Sequence, residues 1–431
     1  MHTSNQPRRA AAAAFVGTTI EFYDFYIYAT AAALVLGQVF FPSNNPLLST
    51  LAAFGTFAVG FIARPMAGMV FGHLGDRLGR KKMLLVTMVL MGLATTGIGL
   101  LPSYASAGIW APIGLIALRI VQGISVGGEW GGAVLMASEH APAKRKVFYA
   151  SFAQLGSPAG LLLALIAFRL VSSLEPEEFL SWGWRLPFLA SGVLMLVGLA
   201  IRFGVEESPE FQAAKAKKEV VKYPVLEVVR DCWRQILFAA LAVTIGSAGF
   251  FFTNTFMITY VTTYQGIPRA TILDCLFLVT ILQFLTQPLA ALLAERIGEG
   301  RFLKLAALLC MAVPYPMFML VGTQNLVLMT AGIALAVVTL SALYAVIAGY
   351  MTQAFPAHLR YSGISLAYQL ICAIAGGSTP IIGTLLADRF AGQWLPLAVF
   401  FTALSTLSLI GVCGLSRLRG EQQESTPAIA R

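Results

Sequence analysis

Two stretches of the sequence decide the fold: residues 72–82 read GHLGDRLGRKK, and residues 292–302 read LLAERIGEGRF. Both contain an acid, an arginine, an apolar residue and a glycine in that order (DRLG and ERIG), and the two patterns lie 219 positions apart. Pro142 and Pro356 repeat at nearly the same spacing, 214 positions. Two matches at nearly one spacing predict a chain built from two similar halves.

The composition indicates a membrane protein. The chain has 431 residues, of which 58% are hydrophobic and 11% charged, and its mean hydropathy is +0.77. A soluble protein carries about 25% charged residues. This chain therefore has too little polar surface to face water on all sides.

Long apolar runs predict twelve membrane spans. A helix that crosses roughly 30 Å of hydrocarbon needs about 20 mostly apolar residues. Such runs, separated by Pro, Gly and charged residues, occur at 13–40, 48–71, 83–101, 110–137, 147–172, 184–203, 235–263, 271–294, 302–321, 326–353, 362–387 and 396–416. We therefore expect an all-α membrane protein of twelve transmembrane helices in two six-helix pseudo-repeat halves.

The longest polar segment divides the twelve spans six and six. It covers 204–234 and is expected to be a cytoplasmic linker with interfacial helices. The predicted organisation is an N-terminal six-helix bundle at 1–203, this linker, a C-terminal six-helix bundle at 235–416 and a short cytoplasmic tail at 417–431. Paired halves with a site between them are typical of secondary transporters.

The basic residues predict the orientation of the spans. If alternate loops are assigned to the side of the N-terminus, 23 of the 29 Lys and Arg residues fall there and four on the other side. Because cytoplasmic loops carry the excess of Lys and Arg, both termini are expected in the cytoplasm. The net charge of +9 therefore reflects topology, and no nucleic-acid partner is expected. The expected location is the plasma (bacterial inner) membrane.

The reactive side chains indicate no metal centre and no enzyme. The five cysteines are scattered without the spacing of a disulfide framework or a zinc site, and the four histidines fall at the N-terminus or in predicted loops. No acid, base and nucleophile occur together in a pattern that would indicate catalysis. We expect no cofactor.

The first predicted span contains two acids. Residues 20–30 read IEFYDFYIYAT, in which Glu21 and Asp24 lie near one face of a helix and Tyr28 lies one turn further along. Acids in the hydrocarbon region are costly and usually have a function. These carboxyl groups are therefore candidates for the functional site.

Two arginines fall inside spans 2 and 4. Arg64 precedes Pro65 in span 2, and Arg119 shares one helical face of span 4 with Gln122 and Glu129. A cation inside a span must face protein or water and needs a partner. The sequence thus places acids and bases together within the membrane part of the N-terminal half.

The stretch at 72–82 resembles the loop signature of the major facilitator superfamily, a family of membrane transporters. Its small glycines allow close contacts, and its acid and base can make charge-assisted bonds to a neighbouring helix end, which would hold one conformation. A basic loop that only sets topology is the alternative. The resemblance implies a conformational latch formed by Gly72, Asp76, Arg77, Gly79 and Arg80, with Glu295 and Arg296 in the second copy.

Four stretches together resemble the metabolite:proton symporter branch of this superfamily. They are IEFYDFYIYAT, FIARPMAGMVFGHLGDRLGRKK, RIVQGISVGGEWGGA and SWGWRLPF. Members of that branch carry solutes such as shikimate, 2-oxoglutarate, citrate, proline and betaine. The branch often has a tryptophan after the first acid of span 1, where this chain has Phe22, a difference that affects the wall of the expected pocket.

The resemblance implies that Asp24 is the proton-coupling residue and that Arg119 is its partner. Burial destabilises the charged form of a carboxyl group, whereas a nearby arginine stabilises it. Movement of the arginine towards or away from the carboxyl group therefore causes the group to release or bind a proton. Glu21 would influence Asp24, and Glu129 is a second candidate for proton coupling. The alternative is a static network of buried ion pairs.

Arg64 suits a substrate carboxylate, because arginine stays charged and offers a planar fork of donors. Snorkelling, or pairing with a span 1 acid, is its alternative role. The predicted substrate-binding residues are Arg64, Arg119, Tyr28 and Gln122 in the N-terminal half and Asn254, Gln283, Gln287, Tyr344 and Gln369 in the C-terminal half. Each uncharged residue among them also suits an interhelical hydrogen bond.

We therefore expect a proton-coupled symporter that imports a small organic acid or zwitterion by alternating access, with a midplane site between the halves. Its partners would be that solute, protons and the lipid bilayer, and we expect a monomer. A proton/drug antiporter of the same superfamily is the alternative, since Gly156-x-Pro158-x-Gly160 partly resembles an antiporter motif. A transporter-derived membrane sensor is a further alternative, which the short tail after Arg417 disfavours.

Overall fold

The computed structural model describes residues 6–44, 46–171, 174–208, 211–213 and 224–425, and helices occur at all twelve predicted spans. The first six spans are built as follows. Span 1 comprises Gln6–Ala31, the π-helical turn Ala32–Leu36 and Gly37–Phe40; spans 2 to 6 are Pro46–Leu78, Arg80–Leu100, Trp110–Glu139, Lys146–Val171 and Arg185–Phe203.

The second six spans follow the same plan. Span 7 comprises Trp233–Phe251, the π-helical turn Phe252–Phe256 and Met257–Tyr264, and span 8 is Arg269–Ile297. Span 9 comprises Glu299–Ala312 and Pro314–Val321, and span 10 is Leu326–Met351. Span 11 comprises Arg360–Ile371, the π-helical turn Cys372–Gly376 and Gly377–Arg389, and span 12 is Trp394–Ser425.

Short helices connect several spans. They are Tyr104–Ala107, Ala143–Arg145, Pro176–Glu178, the π-helical turn Phe179–Gly183 and Pro224–Asp231. Within the predicted linker, Pro224–Asp231 is thus helical, whereas 209–210 and 214–223 lie outside the described residues.

The all-α membrane fold predicted from the sequence is confirmed. In the described part of the chain, ten helical segments are long and apolar enough to cross a membrane. The two other spans, 1 and 2, contain the buried acids Glu21 and Asp24 and the arginine Arg64.

The two halves repeat in their backbone as well as in their sequence. Gly79 and Gly298, which lie 219 positions apart, have φ of 110° and 96°, and each precedes the first residue of the next span. Residues with a side chain rarely adopt such a conformation. The repeated glycine therefore turns the chain sharply from span 2 into span 3, and again from span 8 into span 9.

Glycines also determine how closely the helices of the N-terminal half pack. Span 5 lies against span 1, and a methyl group added at Gly160 would lie 2.7 Å from the backbone nitrogen of Tyr23. Gly156 is equally close to the backbone of span 1 at Thr18 and Thr19. Small residues let helix backbones approach in this way in membranes. The glycines of the Gly156-x-Pro158-x-Gly160 stretch thus have a packing role.

The glycine turns generate a prediction for stability. In Gly79→Ala and in Gly298→Ala, the unfavourable backbone conformation should cost about 1–3 kcal/mol. The loss should be larger for Gly79→Ala, because its new methyl group would also contact the Glu207 carboxylate, whereas nothing lies within 4 Å at Gly298. Thermal unfolding of the purified protein in detergent, followed by tryptophan fluorescence, measures both losses.

The matched control is Gly377→Ala, since Gly377 has ordinary helical φ and open space around its Cα. Its melting temperature should equal or exceed that of the wild type. Equal melting temperatures for Gly79→Ala and Gly377→Ala would contradict this account of the turn.

Candidate functional site

Asp24 is held by two hydroxyl groups from other spans. Its side chain is fully buried near the middle of span 1. Thr95 of span 3 donates to Oδ2 at 2.9 Å, and Ser191 of span 6 donates to Oδ1 at 2.6 Å. A buried carboxylate without such donors would be very costly. Asp24 is therefore positioned by spans 3 and 6.

A chain of hydrogen bonds connects Asp24 to Arg119. The guanidinium Nη1 of Arg119 donates to Oε1 of Gln122 at 2.8 Å, and Nε2 of Gln122 donates to Oγ1 of Thr95 at 2.7 Å. Thr95 in turn contacts Asp24. Arg119 is thus linked to Asp24 by hydrogen bonds through the side chains of Gln122 and Thr95. The sequence did not predict this role for either residue.

Tyr28 and Arg119 pack on each other. The guanidinium carbon of Arg119 lies 3.9 Å from the centre of the Tyr28 ring, and the Tyr28 hydroxyl hydrogen-bonds to Thr56. Arg119 is only 2% exposed and Tyr28 is fully buried. In this conformation both predicted substrate-binding residues are enclosed by protein.

Glu129 forms a buried ion pair with Arg202. The guanidinium group contacts both carboxylate oxygens, and Thr87 also donates to Oε2 of Glu129 at 2.7 Å. Arg202 lies within the predicted bounds of span 6, 184–203, in the last turn of the helix. Span 6 continues to Phe203, and Arg202 is 4% exposed, packed directly against Gly17 of span 1.

Glu21 has a different environment from the other acids. It is 7% exposed, and its Oε2 atom has no hydrogen-bond partner among the described residues. It lies close enough to Arg64, Arg202 and Asp24 for their charges to interact. Glu129 is also close enough to interact with it, so Glu21 lies among two like charges and two opposite charges.

Arg64 lies between aromatic rings at the contact between the halves. Its guanidinium carbon is 4.2 Å from the centre of the Phe61 ring and 5.1 Å from that of Phe25. Its side chain is only partly buried, and its Nε atom has no hydrogen-bond partner among the described residues. Of the two intramembrane arginines predicted from the sequence, Arg64 is the more accessible.

Aromatic residues of the C-terminal half face Arg64. Tyr344 and Tyr368 share a hydrogen bond of 2.6 Å between their hydroxyl groups, and both are close enough to interact with the charge of Arg64. The Tyr368 ring stacks on Trp130 of span 4, with 3.6 Å between the ring centroids. The two halves therefore meet through aromatic side chains beside Arg64.

A small cavity of about 20 Å³ opens in the C-terminal half. We call it the C-half cavity, and its lining is uncharged: Gly246, Phe250, Thr253, Asn254, Gln283, Val337, Leu340, Ser341 and Tyr344. Three of the predicted substrate-binding residues, Asn254, Gln283 and Tyr344, are thus brought together. In this conformation the cavity has room for about one water molecule.

The two other predicted residues of this half lie outside the cavity lining. Gln369 donates to the backbone oxygen of Val126 at 2.9 Å and so joins span 11 to span 4. Gln287 is fully buried one turn from Gln283, and neither atom of its amide has a hydrogen-bond partner within the described residues.

On the cytoplasmic side, Asp76 closes the gap between the halves. It accepts hydrogen bonds from the backbone nitrogen of Ser362 at 2.9 Å, from its hydroxyl group at 2.8 Å and from the nitrogen of Tyr361 at 3.3 Å. These nitrogens belong to the first turn of span 11, where a carboxylate satisfies unpaired donors and the helix dipole. Gly72 allows this contact, because a methyl group there would lie 2.7 Å from Cα of Ser362.

The cation of this latch is Arg80, whereas Arg77 is exposed. Arg80 is 1% exposed and pairs with Asp76 at 3.5 Å and with Glu139 at 3.6 Å. The expectation that Arg77 bonds to the neighbouring helix end is thereby corrected. Arg80 is the first residue of span 3, and the turn at Gly79 brings it back towards Asp76 near the end of span 2.

The second copy of the latch has the same design. Glu295 accepts a hydrogen bond of 2.8 Å from the backbone nitrogen of Phe148, in the first turn of span 5, and pairs with Arg145 at 3.4 Å. Arg296 is exposed like its counterpart Arg77. Each half thus supplies an acid that caps a helix of the other half, and the cytoplasmic side is closed.

The chain has relatives of known function along nearly its whole length. Residues 14–380 match the family model described as Major Facilitator Superfamily. The shikimate transporter of Escherichia coli strain K12 is 41% identical over 93% of this chain and 92% of its own length. The proline/betaine transporter of Salmonella typhimurium strain LT2 is 34% identical over 94% of this chain and 82% of its own length.

Solved structures share the fold at low sequence identity. A structure of the major facilitator superfamily proton:xylose symporter bound to 6-bromo-6-deoxy-D-glucose is 16% identical, with a TM-score of 0.71 over 99% of this chain and 97% of that chain. The inward-open structure of the Escherichia coli xylose transporter gives a TM-score of 0.62 over 98% and 97%.

The two helix caps generate a prediction for the dynamics of the cytoplasmic side. Asp76→Asn keeps the shape of the side chain but removes its charge, so the first turn of span 11 should open more often. Hydrogen–deuterium exchange by mass spectrometry should then show faster exchange at 359–364 and unchanged exchange at 146–150. Glu295→Gln serves as the matched control, with the opposite pattern. Faster exchange at both helix starts in either variant would contradict two separate caps.

Proposed function

The chain belongs to the major facilitator superfamily, and we propose that it imports a small carboxylated or zwitterionic metabolite together with protons. The superfamily predicted from the sequence is confirmed, and the protein is a multi-pass integral membrane transporter rather than an enzyme. The observation that carries the proposal is the position of Arg64. It is a partly accessible cation at the contact between the halves, and its Nε atom has no hydrogen-bond partner in the part of the chain that the structure describes.

A carboxylate is the group that this arginine suits. Guanidinium offers a planar fork of donors that matches two carboxylate oxygens. Shikimate, proline and betaine, which appear in the names of two relatives, share a carboxylate although the rest of their structures differ. We therefore expect transporters of all three solutes to share an arginine that binds the carboxylate.

Proton coupling follows from the charge of such a solute. With the cytoplasm negative, an anion moving inward works against about 2.3 kcal/mol per elementary charge per 100 mV. Co-transported protons remove this cost. We propose Asp24 and Glu21 as the proton-carrying groups, since both are acids buried near the centre of span 1. Arg119 would act on Asp24 through Gln122 and Thr95, and the paired Glu129 would have a mainly structural role.

Alternating access would use the contacts between the halves. The caps at Asp76 and Glu295 close the cytoplasmic side, and Phe25 and Phe61 contact Phe251 of the opposite half beyond Arg64. Import requires the ring contacts to open first and the caps afterwards. The antiporter alternative receives no support from the geometry, because a central cation such as Arg64 would repel cationic drugs.

For proton coupling, Asp24→Asn should abolish pH-driven accumulation in proteoliposomes while solute exchange at equal pH continues. Asparagine can still accept hydrogen bonds from Thr95 and Ser191 but cannot bind and release a proton. Uptake of radiolabelled shikimate with and without an inward proton gradient measures the effect. The matched control is Asp388→Asn, since Asp388 is exposed at the end of span 11. Accumulation by Asp24→Asn at the wild-type level would remove Asp24 from the coupling role.

For substrate binding, Arg64→Gln should weaken the binding of carboxylates by roughly 10- to 100-fold, because hydrogen bonds to charged groups contribute about 1.5–3 kcal/mol. Arg64→Lys should recover part of this loss, since it keeps the charge without the fork. Isothermal titration with shikimate and with its uncharged methyl ester separates the two effects. Equal weakening for the acid and the ester would indicate a structural role for Arg64.

A further inference from the structure

We propose that a solute carboxylate replaces Glu21 as the counter-ion of Arg64, and that Glu21 takes up a proton when this happens. The inference rests on the proposed function and assigns its solute-binding step to one acid. It applies to the carboxylate of any solute, so it does not depend on which metabolite is carried. Glu21, rather than Asp24, then links the binding of the solute to the binding of a proton.

Glu21 lies on one face of span 1 between two arginines. Gly17, Glu21 and Phe25 follow one another at intervals of four residues along this face. Arg202 packs directly against Gly17, and the guanidinium carbon of Arg64 lies 5.1 Å from the centre of the Phe25 ring. Residues four apart on a helix have their Cβ atoms about 5–6 Å from each other. The Glu21 carboxyl group therefore lies about one helical turn from each arginine.

The two arginines differ in their other partners. Arg202 contacts both carboxylate oxygens of Glu129. The Nε atom of Arg64 has no hydrogen-bond partner among the residues that the structure describes, and the same holds for Oε2 of Glu21. The charges of Glu21 and Arg64 act on each other. Glu21 is therefore available to neutralise Arg64 when no solute is bound, without a fixed hydrogen bond that a solute would have to break.

The charged groups connected with Glu21 balance one another. They are three acids and three arginines: Glu21, Asp24, Glu129, Arg64, Arg119 and Arg202. With all six ionised, the net charge of this set is zero. A solute carboxylate adds one negative charge, and one proton restores the balance. Because an uncompensated charge within the membrane is costly, solute and proton should bind together.

Glu21 is the acid that the added charge affects most directly. The groups whose charges act on it are Asp24 on its own span, Arg64 on span 2, Glu129 on span 4, Arg202 on span 6, Tyr344 on span 10 and Cys372 on span 11. When a solute carboxylate binds Arg64, Glu21 loses the stabilising effect of that cation while its two acidic neighbours remain. Burial and like charges both favour the protonated form of a carboxyl group.

Asp24 does not share this dependence on Arg64. Its two carboxylate oxygens accept hydrogen bonds from Thr95 and Ser191, which belong to spans 3 and 6. A solute carboxylate at Arg64 takes neither donor away. Asp24 therefore keeps its protonation state when the solute binds, and its proton is exchanged at another step of the transport cycle.

The test counts the protons that are taken up when a solute binds. Shikimate, 2-oxoglutarate and proline are titrated into the purified full-length protein by isothermal titration calorimetry. The solute that binds is then titrated at neutral pH in buffers of different ionisation enthalpy, because the dependence of the heat on the buffer gives the number of protons bound. The wild type should take up about one proton more per solute than Glu21→Gln.

The affinity gives a second readout. Because binding takes up a proton, the affinity of the wild type should fall by up to about tenfold per unit as the pH rises. In Glu21→Gln this dependence should disappear, and binding at alkaline pH should be tighter than in the wild type, since the neutral amide does not compete for Arg64. A variant with only structural damage would bind more weakly at every pH.

Three further variants serve as comparisons. Asp24→Asn should take up as many protons on binding as the wild type. Glu21→Asp keeps an acid at this position and should therefore keep the proton uptake. The matched control is Glu178→Gln, since Glu178 is exposed in the connection between spans 5 and 6, and its proton uptake should equal that of the wild type.

A measurement on the wild type does not require the Glu21→Gln variant to fold. Infrared difference spectra, recorded on addition of the solute, should show a new band of a protonated carboxyl group. The same band should appear in Asp24→Asn. Absence of this band from the wild type, although the solute binds, would overturn the inference.

The other outcomes separate the inference from the proposed function. Proton uptake by Glu21→Gln equal to that of the wild type would overturn the role of Glu21 while the carboxylate importer stands. Loss of the uptake in Asp24→Asn would also overturn it, because the exchange would then belong to Asp24. Binding of none of the three solutes to the wild type would contradict the proposed function itself.

Discussion

The structure depends on one constraint: an ionisable group within the membrane must find its partners on other helices. Asp24 is held by hydroxyl groups of spans 3 and 6, and Glu129 by the guanidinium group of span 6. Breaking a buried pair of the second kind typically costs about 3–5 kcal/mol. These contacts join spans 1, 3, 4 and 6 of the N-terminal half to one another.

The contacts between the halves are of another kind. At the cytoplasmic side they are helix caps, in which Asp76 and Glu295 accept hydrogen bonds from the first turns of spans 11 and 5. Each cap involves a few hydrogen bonds to one helix end, so it can be broken and remade as a unit. Under the proposed function, the contacts between the halves would open and close while the contacts within each half persist.

Much of this arrangement could be predicted from the sequence. A charged residue within an apolar run is conspicuous, so Asp24, Arg64, Arg119 and Glu129 were identified correctly as buried or partly buried intramembrane groups. The repeat of 219 positions predicted two halves, and the positive φ angles of Gly79 and Gly298 show its structural basis.

Other partners could not be predicted, for physical reasons. Arg202 lies at the end of an apolar run, where a loop cation and a buried cation look alike in sequence. Thr95 and Ser191 resemble many other hydroxyl residues in the spans. The choice between Arg77 and Arg80 depends on the turn at Gly79, whose direction cannot be read from the sequence. Which polar residues share the C-half cavity depends on how three spans pack.

The central claim is that inward movement of a carboxylated solute is coupled to inward movement of protons. Its most direct test uses the purified protein in liposomes that contain a pH-sensitive dye, with protein-free liposomes as the control. Carboxylic acids, proline and betaine are added outside one at a time. The account predicts acidification of the lumen with at least one solute in the protein-containing liposomes. Alkalinisation, or no response to any solute that the protein binds, would contradict it.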